Sequence, residues 1–319
     1  MTANQRLTTP FTARTTAAEI LDGVDLTGRR MIVTGGASGI GVETVRALAG
    51  AGAEVTIATR DPRRANALVE EFAGRGAVRS AALDLSDLES VDAFVEGFPG
   101  PLDALVANAA IMAIPTRQVT AQGWELQLAT NYLGHFALTR GLHASLRAAQ
   151  AARVVLVSSG AHLAAPFDFD DPQFERRAYD PWLAYGQSKT AEILLAVSIT
   201  RRWAQDGITA NALNPGYVFT NLQRYVDDDT MRALGAVDEA GNLVETDHYK
   251  TPAQGASTTV LLAGSPLLDG VSGRYFDDNQ EAEVVPGGPD ATAGVAAHAL
   301  DPAAADRLWA YTEKAVVTR

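Results

Sequence analysis

The chain has 319 residues, 47% of them apolar and 20% charged, with 28 Gly, 14 Pro and no Cys. The missing cysteine excludes disulfides, thiolate metal sites and cysteine nucleophiles. A net charge of −12 argues against wrapping a phosphate backbone or docking on an anionic membrane, so no nucleic-acid partner is expected.

In chain order, residues 1–27 form a lead-in whose Ala17–Leu21 predicts a short helix. From Arg30 to Tyr275, apolar β-rich runs alternate with longer Ala/Leu-rich stretches. Strands are predicted at 31–34, 54–58, 78–83, 102–107, 154–158, 209–213 and 274–276, and helices near 39–49, 63–72, 88–98, 124–149, 184–205 and 252–262. The apolar strand runs do not alternate with polar residues, as expected where helices cover both faces of a parallel sheet. Strand, helix, strand repeated along the chain predicts an α/β fold: a doubly wound, Rossmann-type parallel sheet of seven strands in a single domain. Residues 221–250, which include Asp227, Asp228 and Asp229, read as a loop excursion with a solvated acidic run, and 281–319 as a C-terminal tail packing on the same domain. No stretch approaches the ~18 unbroken apolar residues of a transmembrane helix. The Thr-rich start, Met1–Thr16, lacks the apolar core of a signal peptide. A cytoplasmic protein without a membrane anchor is expected.

The first predicted strand runs into Thr34-Gly35-Gly36-Ala37-Ser38-Gly39-Ile40-Gly41, which opens the first helix. Gly35 permits the tight turn, Gly39 lets backbone approach a pyrophosphate, and Gly41 allows close packing of helix on strand. The helix start around Ser38 and Ile40 then presents unpaired N–H groups and a partial positive charge to phosphates. The second strand ends at Ala58-Thr59-Arg60-Asp61. A carboxylate there would bond a ribose 2′-OH, whereas the Arg60 guanidinium can clamp a 2′-phosphate, so NADP(H) is expected over NAD(H). The competing reading is a solvated Arg heading a helix cap. At the third strand end, Asp84 and Leu85 can meet the adenine, while Ser86 or Asp87 can cap the next helix.

Tyr185 and Lys189 stand four apart, on one face of a predicted helix. Only three of the chain's 26 Lys and Arg residues are Lys, at 189, 250 and 314. A phenol is a poor base at pH 7, but a neighbouring ammonium favours its anion, which fits Tyr185 to move a proton. Ser158 and Ser159 end the fifth strand at the carboxyl edge of the sheet, where a hydroxyl can bond a reacting carbonyl oxygen.

Together these segments resemble the short-chain dehydrogenase/reductase family, in the subgroup of retinol dehydrogenases and WW-domain oxidoreductases. The resemblance runs from about Thr16 to Phe276. It includes Thr130-Asn131-Tyr132-Leu133-Gly134-His135-Phe136, Val157-Ser158-Ser159-Gly160-Ala161-His162, Ala184-Tyr185-Gly186-Gln187-Ser188-Lys189, Asn214-Pro215-Gly216-Tyr217-Val218-Phe219-Thr220 and Ser272-Gly273-Arg274-Tyr275-Phe276. The resemblance implies a catalytic tetrad of Asn131, Ser159, Tyr185 and Lys189, with Asn131 holding a main-chain kink and a water that relays protons to Lys189. It implies that Pro215, Gly216, Val218 and Thr220 meet the nicotinamide, and that Asn108 belongs to the cofactor site. One motif departs: Ala107-Asn108-Ala109-Ala110 stands where family members usually carry Asn-Asn-Ala-Gly.

The expected activity is hydride transfer between NADP(H) and the carbonyl or alcohol group of an apolar small molecule, with Tyr185 as general acid/base and residues 221–250 folding over the substrate. The alternative is a non-catalytic NADP-binding regulator. A redox-neutral epimerase or dehydratase on the same fold is a third option. Residues 28–280 would form the dinucleotide-binding and catalytic domain. His135, His143 and His162 lack metal-ligand spacing, so no metal site is expected, and His135 reads as a packing residue. Phe167, Phe169 and Trp182 can line a substrate pocket or fill the core of an insertion. In this family the long helices near 124–149 and 184–205 pair between subunits of a dimer or tetramer; the competing reading buries them on the chain's own sheet.

Overall fold

The computed structural model describes residues 6–74, 78–226, 228–233, 236–238, 244 and 249–317. Asp227 and most of the Gly/Asp-rich part of the 221–250 excursion lie outside the described residues. The principal strands are β1 (Arg30–Thr34), β2 (Glu54–Thr59), β3 (Val78–Ala82), β4 (Ala104–Ala107), β5 (Arg153–Val157) and β6 (Thr209–Asn214). They are followed by the short β7 (Tyr217–Val218) and β8 (Tyr249–Lys250), then β9 (Tyr275–Asp277) and β10 (Gln280–Glu281). The main sheet has the order β10-β9-β6-β5-β4-β1-β2-β3, while β7 and β8 pair separately.

Seven strands are parallel, as the sequence predicts, but the sheet has eight. The added strand, β10, runs antiparallel to β9 with Gln280 opposite Asp277. The reversal is made at Asp278 and Asn279, whose φ angles of 50° and 65° both lie in the left-handed region required of the two central residues of a tight hairpin. Asn279 is held there by a hydrogen bond from its Nδ2 to the Thr12 carbonyl (2.8 Å) and by a bond from the Thr258 hydroxyl to its Oδ1 (3.0 Å).

Successive residues of each strand feed opposite faces. Met31 and Val33 pack with Val55, Ile57, Val155 and the helices Ile40–Gly50 and Ser257–Gly264. Ile32 packs with Leu105, Val154, Leu156 and the helices Leu88–Glu96, Gly134–Gly141 and Pro181–Trp203. The strands therefore need apolar residues at every position. Because β1 is flanked by β2 on one side and β4 on the other, the winding reverses there, and a crevice opens beyond the carboxyl ends of β1 and β4.

Two helices differ from expectation. The predicted helix near 184–205 begins three residues earlier, because Asp180 caps it through Trp182 N and Leu183 N and Pro181 takes the first position. The predicted helix 124–149 is broken: Leu126–Leu128 passes through a π turn at Ala129–Leu133 into Gly134–Gly141, and His143–Ala148 follows after Leu142. Residues Ala184–Ile199 are all buried within this one chain, so the apolar faces of their helix are taken up by its own core.

The tail contributes the helix Pro302–Val317 to that core. Trp309 meets Phe136 edge-on at 4.8 Å between centroids and Trp203 at 5.8 Å, and is only 7% exposed. Trp309→Ala should lower the unfolding free energy by about 3–5 kcal/mol in denaturant titration; a loss below about 1 kcal/mol would show that the tail is not part of the main core.

Candidate active site

The crevice is a cleft of about 890 Å³. At one end lies the glycine loop. Gly35 (φ 66°) and Gly39 (φ 56°) adopt conformations that L side chains rarely take. A Cβ on Gly41 would stand 2.4 Å from the Gly35 carbonyl oxygen, and one on Gly35 about 3.0 Å from Ala109 Cα. The helix Ile40–Gly50 carries no side-chain cap at Gly39; Gly41 N and Val42 N close turns on the Ser38 and Gly39 carbonyls, and the helix start lines the cleft. A tight glycine cradle ending on an uncapped eleven-residue helix fits the pyrophosphate of a dinucleotide. Ser38, Gly39 and Ile40 line the cleft, while Gly41 works by packing.

At the end of β2, Asp61 caps the turn Pro62–Ala65 through Arg63 N and binds the Arg63 guanidinium at 2.9 Å. Asp61 also lines the cleft. Arg60 and Arg64 both line the cleft, and Arg60 is exposed. Asp84 and Leu85 form the neighbouring wall. Asp84 also accepts from Ser86 N at 2.9 Å, and Asp87 caps the next helix.

The reacting groups gather at the other end. Ser159 follows β5; its hydroxyl accepts from Ala161 N at 3.2 Å and lines the cleft together with Tyr185. The Lys189 Nζ lies 5.6 Å from the centroid of the Tyr185 ring and donates to the Val157 carbonyl at 2.8 Å. Asn131 sits in the π turn. Its Oδ1 accepts from Ile111 N at 2.9 Å, and its Nδ2 donates to Ile111 O at 3.0 Å and Ser188 Oγ at 2.9 Å. The extra residue of a π turn displaces the carbonyl ladder, a common device at functional positions. Here it lets one amide clamp both the 111 loop and the Tyr185/Lys189 helix. Burial raises the Tyr185 phenol, and Lys189 and Ser159 pull it down. The net direction is upward, so burial in the open cleft outweighs the lysine that the sequence offers as acidifier.

Pro215, Gly216, Val218 and Thr220 form a third wall. Gly216 (φ 83°) turns there because a Cβ would meet the Lys250 side chain at 3.0 Å, and Lys250 Nζ pairs with Asp278 at 2.5 Å. Thr220 caps the turn Asn221–Tyr225 and stands against Gly39, joining this wall to the phosphate loop.

Residues 29–231 match the family of short chain dehydrogenases. The chain belongs to that family. It is 68% identical over 290 residues to "Probable oxidoreductase" of Streptomyces lividans, covering 90% of this chain and 97% of that protein. It is 36% identical over 309 residues to retinol dehydrogenase 14 of Homo sapiens, covering 90% and 85%. Among solved structures it resembles an uncharacterized protein from Mycobacterium Paratuberculosis, with a TM-score of 0.73, 34% identity and coverage of 95% and 97%. It also resembles a gluconate 5-dehydrogenase from Burkholderia cenocepacia J2315 in complex with NADP and tartrate, with a TM-score of 0.61, 26% identity and coverage of 80% and 95%. As a member of the family, this chain is an NAD(P)-dependent oxidoreductase acting on CH–OH and C=O groups. Among the described residues, no helix is long and apolar enough to cross a membrane.

The family departure at Ala107 is absorbed by neighbours. Ala107 is buried in the β4–β5 ladder opposite Leu156. The Thr34 hydroxyl accepts from Asn108 N (2.9 Å) and Ala109 N (3.0 Å), and Asn108 Nδ2 donates to Thr34 O (2.8 Å). Asn108 and Ala110 line the cleft.

Sequence reading passes over several residues of this site. Met112, Tyr217, Phe219 and Tyr249 line the cleft, and the rings of Phe219 and Tyr249 stack at 4.3 Å. Trp182 lines it too and meets Tyr185 edge-on, whereas Phe167 and Phe169 pack in the core with Tyr311. His162 braces the serine: its Nδ1 donates to Ser159 O at 2.6 Å, and its Nε2 accepts from Ala296 N at 3.1 Å. No local pattern announces that role, since Ala296 lies 134 residues away.

Burial pushes the His162 ring down to about 4, against 6.5 for a free imidazole. A folded value below the unfolded one means that its contribution is whole above pH 6.5 and is lost as pH falls toward 4. Stability should therefore drop by on the order of 3 kcal/mol across that window, and His162→Gln should give a shallower slope in urea unfolding at a series of pH values; an equal slope would exclude His162 as the group responsible.

Proposed function

We propose that this protein is an NADP(H)-dependent oxidoreductase interconverting a carbonyl and an alcohol on an apolar small molecule, with Tyr185 as general acid/base. The observation that carries the proton chemistry is the meeting of Ser159, Tyr185 and Lys189 at the buried end of the cleft, clamped by Asn131. A bound nicotinamide supplies or takes up the hydride. Ser159 and Tyr185 offer hydroxyls to the substrate oxygen, stabilising the charge that develops on it. Tyr185 gives that oxygen a proton in reduction and takes one in oxidation, and Lys189 favours the phenolate in the second case.

The preference for NADP(H) rests on Arg60 and Arg64 at the ribose end, with Asp61 turned to Arg63. The apolar substrate is argued from Met112, Trp182, Leu222, Val226, Met231 and Ala236 around the mouth. The last four belong to the 221–250 excursion, which supports the reading that it covers the substrate.

A screen of aldehydes, ketones and alcohols followed by NADPH absorbance tests the activity. Tyr185→Phe should cut turnover at least about a hundredfold while NADPH still binds, as measured by fluorescence titration; retained turnover would remove Tyr185 from the chemistry. Arg60→Ala should raise the NADPH KM roughly tenfold and leave the NADH KM unchanged, through loss of a charge-assisted contact. An unchanged NADPH KM would overturn the 2′-phosphate assignment.

A further inference from the structure

We propose that Glu192 is a positioning residue of this active site: a buried counter-charge that fixes the Lys189 ammonium and restrains its pull on the Tyr185 proton. The inference rests on the reading of Tyr185 and Lys189 above.

Lys189 is 2% exposed and Glu192 is fully buried, one helical turn further on. The Lys189 Nζ donates to Glu192 Oε2 at 2.7 Å and to Val157 O at 2.8 Å. Two of its three N–H groups are thereby committed, and one remains to point toward Tyr185 and the cleft. The other carboxylate oxygen, Oε1, faces His135 Nδ1 at 3.4 Å.

The protonation of His135 follows from its partners. The Thr34 hydroxyl oxygen already accepts two backbone N–H groups, so its proton goes outward, and His135 Nε2 at 2.9 Å is nearer than the Val106 carbonyl at 3.3 Å. His135 Nδ1 then carries the ring proton, directed at Asn131 O at 2.8 Å with Glu192 Oε1 beside it. The cation that Glu192 meets at hydrogen-bond distance is Lys189. Lys189, Glu192, His135 and Thr34 thus lie in a buried row that ends at the loop Asn108–Ala109; Lys189–Glu192 and His135–Thr34 are hydrogen-bonded, whereas Glu192 Oε1 and His135 Nδ1 are in contact at 3.4 Å without a hydrogen bond.

Burying a lone ammonium this deeply is unfavourable, whereas a paired one stays charged. Burial lowers the basicity of Lys189, yet Glu192 and Tyr185 carry the net direction upward. The carboxylate also acts on the phenol, opposing the pull of Lys189. Other titratable groups face this cluster from each packed element. His162 follows β5 and is neutral. Tyr275 on β9 is a phenol held well above its usual range by burial, with Asp277 beyond it. On the far side of the helix, Asp306 pairs with Arg201 and Arg202, and Arg307 with Asp170, toward solvent. Glu192 is thus the negative charge bound directly to the lysine.

The test reads Tyr185 itself, without substrate or cofactor. Full-length protein labelled with carbon-13 at tyrosine Cζ is titrated by NMR, and the Tyr185 signal is assigned by its loss in Tyr185→Phe. Glu192→Gln removes the counter-charge and should move the Tyr185 midpoint down by on the order of one pH unit. Glu192→Asn and Glu192→Asp are matched in size and carry the test if Glu192→Gln does not fold. The Asn variant should follow the downward shift, and the Asp variant should stay near the parent midpoint. An unmoved midpoint in the neutral variants overturns the proposal, leaving Glu192 only a structural brace. An upward shift also overturns it, because Glu192 would then serve to keep Lys189 protonated rather than to oppose it. No turnover is required, so a failed carbonyl screen and a failed titration are separate results.

Discussion

An ammonium buried to 2% exposure needs oxygens around it, and the fold supplies them from two elements. The Val157 carbonyl comes from the last residue of β5, and the Glu192 carboxylate from the helix that carries Lys189 itself. That pairing sets the rotation of the helix Pro181–Trp203 against the sheet, because a carbonyl at a strand end is free only at the carboxyl edge. Once the rotation is set, Tyr185 lines the cleft together with Ser159, and Ser188 meets Asn131 across the helix interface. The site is registered on a buried charge whose geometry tolerates little slack.

The cleft itself comes from topology and glycine. Reversal of strand order at β1 and β4 separates the loops that follow them, and in the turn between β1 and its helix a Cβ at Gly41 would stand 2.4 Å from the Gly35 carbonyl oxygen. Thr34 connects the two features, because its hydroxyl holds the loop after β4 while its chain continues into the glycine turn. The tail then braces the serine from outside: Ala296 N is bonded to His162, whose other nitrogen holds the Ser159 carbonyl. Residues remote in sequence therefore hold the backbone of Ser159 in place.

How much of this was legible in the chain depends on how local each interaction is. The parallel strands follow from unbroken apolar runs, and the phosphate cradle from glycine spacing, because both are settled within a few residues. Tyr185 and Lys189 were legible because a helix turns i and i+4 onto one side. The eighth strand was missed, although Asp278-Asn279 is a hairpin signal, because two-residue strands carry no periodicity. The break in the helix predicted over 124–149 was hidden for a similar reason, since a π turn has no composition of its own. His135 reads as a packing residue in sequence, and only the tertiary structure shows that its two nitrogens meet Thr34 and the Asn131 carbonyl, with Glu192 alongside. A Glu three residues after Lys189 in an apolar helix was a visible signal that the motif reading left unused.

The amino-acid sequence alone determined the fold class and pointed to the glycine loop and to the pairing of Tyr185 with Lys189, since each depends on backbone periodicity or on contacts within one turn. Tertiary structure decided which carboxylate faces which cation. Asp61 binds Arg63 at the rim of the cleft, and Glu192 turned inward to Lys189. It also decided that burial outweighs the lysine at Tyr185. Electrostatic outcomes of that kind depend on depth and on neighbours from distant segments, and neither is written in the spacing of residues along one strand or helix.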